Sequence, residues 1–179
     1  MYSFKGCTPV VHEFSLVVVL EELTGIVTIG KNCYIGPGAA IRGDWGQIII
    51  KDGVNIQENC TVHIFPGKSI TLKESAHVGH GAIIHGANLG RNCLIGMNTV
   101  IMDDAEIGDE SIVGAMAFVK AETIIPKRSL VVGNPAKVIK QGRADDKDFE
   151  RIYASYDAFF QDVKSYHKVS EQAYYENRE

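Results

Sequence analysis

The sequence predicts an all-β protein, a solenoid of very short parallel strands followed by a C-terminal α-helix, on three observations. From Leu89 an aliphatic residue stands at every sixth place through Ile95, Ile101, Ile107, Val113, Val119, Ile125 and Val131 without a slip. Ile, Leu and Val make up about a quarter of the chain, so eight in one fixed register would arise by chance with a probability on the order of 10⁻⁵. The fourth place after each anchor is small, as at Cys93, Thr99, Ala105, Ser111, Ala117, Thr123 and Ser129. The chain holds 18 Gly beside only 5 Pro, a composition suited to many tight turns. Six residues are too few for a helical unit and too regular for hairpins, whereas three such units close one coil.

Upstream the same register holds at Ile29, Ile35 and Ile41, at Ile50, Ile56 and Val62, and at Leu72, Val78 and Ile84. Three residues are inserted between Ile41 and Ile50, four between Val62 and Leu72, and one is missing between Ile84 and Leu89. The small places here are Cys33, Ala39, Cys60, Ala76 and Ala82. Anchors and small residues point inward, and coils stack about 4.8 Å apart like neighbouring strands. Cys33, Cys60 and Cys93 are thereby accounted for as small buried hydrophobes rather than metal ligands; Cys7 precedes the repeats. The solenoid domain spans residues 1–140, because the register ends after Gly133-Asn134-Pro135. Residues 141–179 form the helix and tail. From Asp145 to His167 the residues Phe149, Ile152, Tyr153, Tyr156, Phe159, Phe160 and Val163 recur at helical spacing, with Asp145 as the cap.

Charge and composition exclude several classes. With 18 basic and 22 acidic residues the net charge is −4, so bulk charge gives no basis for nucleic-acid binding. No apolar run approaches the roughly 20 residues of a membrane span, and no leader pattern opens the chain, which predicts a cytoplasmic protein. Four scattered cysteines make no disulfide framework.

The register also places the polar residues. Ile41, Val62 and Ile84 share a face in successive coils, so the outward residues that follow them, Arg42, His63 and His85, form a vertical ladder on one wall. His80 follows Val78 by two and belongs to the preceding face with Gln57. It can join His63 and His85 only from a second subunit, and a closed threefold arrangement makes that contact three times. Three imidazoles around one ion with a fourth position open is the ligand set of a catalytic zinc site. Asp44 sits beside the ladder. His12, His77 and His167 read as ordinary surface histidines, and the aromatic helix stripe as packing.

Arg42-Gly43-Asp44, Asn55-Ile56-Gln57-Glu58-Asn59, His63, Gly79-His80 and His85-Gly86 together resemble the signature of γ-class carbonic anhydrases. Thr8-Pro9-Val10-Val11, Gly96-Met97-Asn98, Ile112-Val113-Gly114-Ala115 and Val132-Gly133-Asn134-Pro135-Ala136 are similar to PaaY/CaiE-type proteins. The resemblance implies a left-handed parallel β-helix assembled as a homotrimer, the opposite hand to ordinary crossovers. It implies that His63 and His85 of one subunit and His80 of the next hold Zn²⁺, or Fe²⁺ or Co²⁺. Hydroxide formed there would attack carbon dioxide to give bicarbonate, with Gln57 orienting it and Arg42 and Asp44 tying subunits together and shaping the site. The sequence departs from archetypal members at Trp45, where they carry glutamate, and in the short Ile64-Phe65-Pro66-Gly67-Lys68 loop, which lacks acids. Proton return then falls to Glu58 or buffer. Phe159 aligns where many short members place a helix tyrosine.

The first functional expectation is therefore a metal-dependent carbonic anhydrase acting on carbon dioxide and bicarbonate. The alternatives are a thioesterase attacking acyl-CoA with the same hydroxide, a hexapeptide acyltransferase with a single histidine base, and a catalytically idle trimeric scaffold.

Overall fold

The computed structural model describes residues 1–17 and 22–142, and every regular element among them is a strand. The helix expected from Asp145 to His167 lies outside the described residues. The strands are arranged as stacked parallel coils with three faces. Ile41, Val62, Ile84, Ile101 and Val119 succeed one another up the first face. Ile50, Leu72, Leu89, Ile107 and Ile125 climb the second. Val17, Ile35, Ile56, Val78, Ile95, Val113 and Val131 climb the third. Apart from Val17, which the structure adds below Ile35, these are the anchors that counting by sixes assigns to common faces.

The anchors and small residues form one continuous core. Ile35, Ile41, Ile56, Ile84 and Leu89 are wholly buried, as are Ala39, Cys60, Ala82 and Ala105. Burying each large aliphatic side chain stabilises the fold by roughly 1.5–3 kcal/mol, and no coil can do so without a neighbour above or below. Thr123 departs from the pattern and is partly exposed, because among the described residues no further coil stacks on that corner. Cys33, Cys60 and Cys93 are buried free thiols, as expected of inward small residues, and burial raises their pKa, that of Cys60 to about 11.

A backbone rule accompanies the six-residue unit. The third residue after an anchor takes positive φ at nearly every corner, as at Asn32, Asn59, Asn92, Asn98, Asp104, Glu110, Met116, Glu122 and Arg128. Asn and Asp tolerate this left-handed conformation better than other non-glycine residues, so Glu122, at φ 59° and exposed, is strained. Glu122→Gly is expected to stabilise the protein by about 1 kcal/mol, raising its melting temperature by roughly 2–4 °C in a thermal scan.

The insertions leave the stack intact. The strand Glu22–Ile29 runs under Ala40–Ile50 with a register shift, Gly25 pairing Gly43 and Val27 pairing Ile48. Ile26 alone thus opposes the four residues from Asp44 to Gln47, which accommodates the three extra residues at one corner. Gly43 lies so close beneath this corner that a Cβ there would be 2.5 Å from the Ile26 carbonyl oxygen. Past Asn134-Pro135 the parallel order ends, and Lys137–Gln141 folds back antiparallel onto Ser129–Val132.

Candidate functional site

The ladder exists as the register places it: Arg42 pairs with His63 and His63 with His85 in adjacent coils of the first face. The two imidazoles point outward and are about one fifth to one quarter exposed. His63 Nδ1 and His85 Nε2 face each other at 3.3 Å. The other nitrogen of each ring meets a carboxylate, His63 Nε2 at 3.1 Å from Asp44 Oδ1 and His85 Nδ1 at 2.8 Å from Asp103 Oδ1. A carboxylate only accepts, so each outer nitrogen carries a proton, and in the neutral rings that bind a metal each inner nitrogen keeps a lone pair. Two lone pairs aimed at each other repel unless a cation lies between them. Two ligands about 2.0–2.1 Å from a tetrahedral ion sit about 3.4 Å apart, so this donor pair fits a zinc-class ion.

Asp44 is positioned by the corner that passes over Ile26. It accepts a hydrogen bond from Arg42 Nη2 at 2.7 Å and is itself mostly buried. Burial works against its ionisation, but the bonds from Arg42 and His63 outweigh burial and hold its carboxyl below the ordinary aspartate range. Asp44 in turn raises the pKa of Arg42. The charge on Asp44 is therefore secure at neutral pH, and with it the His63 tautomer.

His80 stands on the corner after the third face, half exposed. Its Nδ1 is 2.6 Å from Glu58 Oε2, while Tyr34 donates its hydroxyl to Glu58 Oε1 at 2.9 Å. Burial disfavours the Glu58 carboxylate, yet bonds from its own backbone N–H, from Tyr34 and from His80 lower its pKa overall. With both oxygens engaged, Glu58 is built to hold the His80 ring. The His80 backbone N–H donates to Gln57 Oε1 at 3.2 Å, which leaves the Gln57 amide NH₂ as the end available to another oxygen. Among the described residues of one chain, no three His, Cys, Asp or Glu side chains converge into a metal cage. The single chain brings His63 and His85 together and keeps His80 on a different face.

Several neighbours escaped the reading of the sequence. Asp103 gives no signal in the register, standing 18 residues after His85, one past the local 17-residue step between coils. Tyr34 leaves no sequence signal because its contact depends on side-chain reach, and Phe65 none because loop packing has no period. Phe65 sets its ring edge against His85, centroids 4.9 Å apart. Phe65, against His85, and Trp45, whose ring lies under Lys5 Nζ, are each half exposed.

His77 corrects an expectation, since it is buried rather than an ordinary surface histidine. It stacks in register between Asn55 and Leu94, and burial first, then the proximity of His80, lowers its pKa from 6.5 to about 4. The unfolded chain then takes up a proton that the folded chain refuses. Stability is expected to fall as pH drops from about 6.5 to about 4, by on the order of 3 kcal/mol. Urea midpoints measured in chelator across that range should show the slope, and His77→Asn should flatten it.

The fold and its outer wall define a protein class, a hexapeptide-repeat β-solenoid carrying paired imidazoles on one face. Two family models match the chain, Bacterial transferase hexapeptide (six repeats) over residues 86–121 and Hexapeptide repeat of succinyl-transferase over residues 26–63. Carnitine operon protein CaiE of Escherichia coli K12 is 45% identical over 151 residues, 84% of this chain and 77% of that protein. A Bacillus cereus protein proposed to be an acetyltransferase superposes with a TM-score of 0.82 at 37% identity, covering 92% of this chain and 96% of its own. A hexapeptide transferase family protein from Anaplasma phagocytophilum superposes with a TM-score of 0.80 at 27% identity, covering 89% and 95%. The chain belongs to the CaiE-type family of hexapeptide-repeat proteins.

Proposed function

We propose that the protein is a metal-dependent carbonic anhydrase whose ion is held by His63 and His85 of one subunit and His80 of the next in a homotrimer. The observation that carries the reading is the inward pair of imidazole nitrogens 3.3 Å apart, each ring fixed from outside by a carboxylate. An ion bound there, Zn²⁺ or alternatively Fe²⁺ or Co²⁺, would supply the Lewis acidity that makes hydroxide available near neutral pH. Asp44 and Glu58 fix the tautomers of His63 and His80, and so the direction in which each ring offers its lone pair. Gln57, its carbonyl oxygen held by the His80 N–H, turns its amide NH₂ toward the reacting oxygen and orients it for attack on carbon dioxide. Arg42 spends one amino group on Asp44 and keeps further donors for the bicarbonate product.

Phe65 favours a second reading, hydrolysis of an acyl-CoA thioester, because a half-exposed aromatic ring against His85 would seat an apolar acyl group. One experiment separates the two. Metal analysis should find close to one transition ion per chain. Stopped-flow carbon dioxide hydration by the loaded protein, run beside hydrolysis of a small acyl-CoA panel, should then show hydration. Thioester hydrolysis without hydration would select the second reading, acyl transfer without a metal requirement would select the family's acyltransferase chemistry, and a metal-free inactive trimer would leave a scaffold.

A further inference from the structure

The turn that follows His85 is built around one contact. Gly86 takes φ +65°, and a Cβ on it would lie 2.4 Å from Asp103 Oδ1, so only glycine leaves room for this carboxylate beside the imidazole. The Gly86 N–H donates to the His63 carbonyl at 2.9 Å, and the Asp104 N–H donates to the Gly86 carbonyl at 2.8 Å. Three coils are thereby stitched at the level of the two histidines. Asp103 itself is mostly buried.

A second contact braces the same place from the side. Lys68 extends from the loop inserted after His63 and ion-pairs with Asp104, its Nζ 2.6 Å from Oδ1. That loop also carries Phe65, whose edge rests against the His85 ring. The imidazole is therefore confined between an aromatic ring and a carboxylate, and the Lys68–Asp104 pair joins the segments that supply them. Neither element belongs to the motif residues Arg42, Asp44, Gln57 and Glu58.

We propose that Asp103 is a positioning residue that fixes the tautomer and ring orientation of His85, so that Nε2 offers its lone pair toward His63 Nδ1. The proposal rests on the metal-site reading above. The alternative tautomer would place a proton on Nε2 and donate it to His63 Nδ1, 3.3 Å away, closing the pair with a hydrogen bond where an ion should enter. Asp103 removes that alternative by accepting from Nδ1, as carboxylates behind metal-bound histidines commonly do. It acts through His85 and touches no reacting atom.

The test compares full-length wild type with Asp103→Ala, Asp103→Asn and the control Asp109→Ala, which removes a corner carboxylate paired with Arg91 away from the site. Metal-stripped proteins are titrated with Zn²⁺ against a chromophoric chelator, and the ring nitrogens of His85 are followed by ¹⁵N NMR without metal. Asp103→Ala should weaken Zn²⁺ binding roughly 10–100-fold and shift His85 away from the Nδ1–H tautomer. Asp103→Asn keeps an acceptor oxygen and should retain the tautomer and most of the affinity. Asp109→Ala should match wild type. Wild type that binds Zn²⁺, with Asp103→Ala binding within twofold and an unchanged tautomer, overturns the proposal and leaves the metal-site reading standing. Wild type that binds no Zn²⁺ overturns that reading and the proposal with it.

Discussion

His63→Ala is expected to bind transition metal far more weakly and to lose carbon dioxide hydration by at least about 10³-fold, equivalent to about 4 kcal/mol of transition-state stabilisation. The loss should be this large because the variant leaves His85 Nε2 without its facing partner and Asp44 without the ring it orients. It should not unfold the chain. The His63 side chain points outward from the coil, while Val62 beside it supplies the buried anchor and remains in place. Far-ultraviolet circular dichroism and the thermal midpoint should therefore stay near wild type while metal content, measured after gel filtration, collapses. Retained metal with unchanged turnover would place the ion elsewhere. By contrast, Ile84→Ala, directly behind His85 in sequence and wholly buried, should cost about 2–5 kcal/mol of stability.

Mixed subunits give the second large effect. Trimers of His80→Ala alone should be inactive, as should trimers of His63→Ala alone, for each would spoil every site. Co-refolding the two in equal amounts should restore activity. A site recovers when a His80→Ala chain contributes intact His63 and His85 and its neighbour, a His63→Ala chain, contributes intact His80. Random assembly places such neighbours at about a quarter of the interfaces, so about a quarter of wild-type activity should return. No recovery, with mixed trimers verified by native mass spectrometry, would show that the three histidines do not share a site across subunits. The geometry of the single chain motivates the design: His63 and His85 stand on one wall while His80 is held on another by Glu58 and Tyr34.

What could be read from the sequence follows from what the period controls. Counting by sixes finds which residues are vertical neighbours, so the faces, the core anchors and the Arg42–His63–His85 ladder are all legible in the sequence. It also places three surplus residues between Ile41 and Ile50, while their position from Asp44 to Gln47 is seen only in the strand pairing. The period says nothing about how far a side chain reaches. Asp103 approaches His85 diagonally, and Tyr34 reaches Glu58 across a separation of 24 residues, contacts decided by rotamers and loop packing. His77 failed for a related reason. It occupies a place that points outward in the repeat, yet burial is a property of what surrounds a position as well as of its direction.

The strand Lys137–Gln141 has a consequence for the protein in a crowded solution. It lies on the free edge of Ser129–Val132 and runs against it, and the Ala136 N–H and Gly133 carbonyl bond the backbone of Phe118 on the next face. On this third face a further molecule seeking to extend the stack would meet a reversed strand bearing Lys137 and Lys140 instead of an open parallel template. One wall of the prism thus carries its own terminator, a hindrance to fibre growth that a perfectly repetitive sequence would lack.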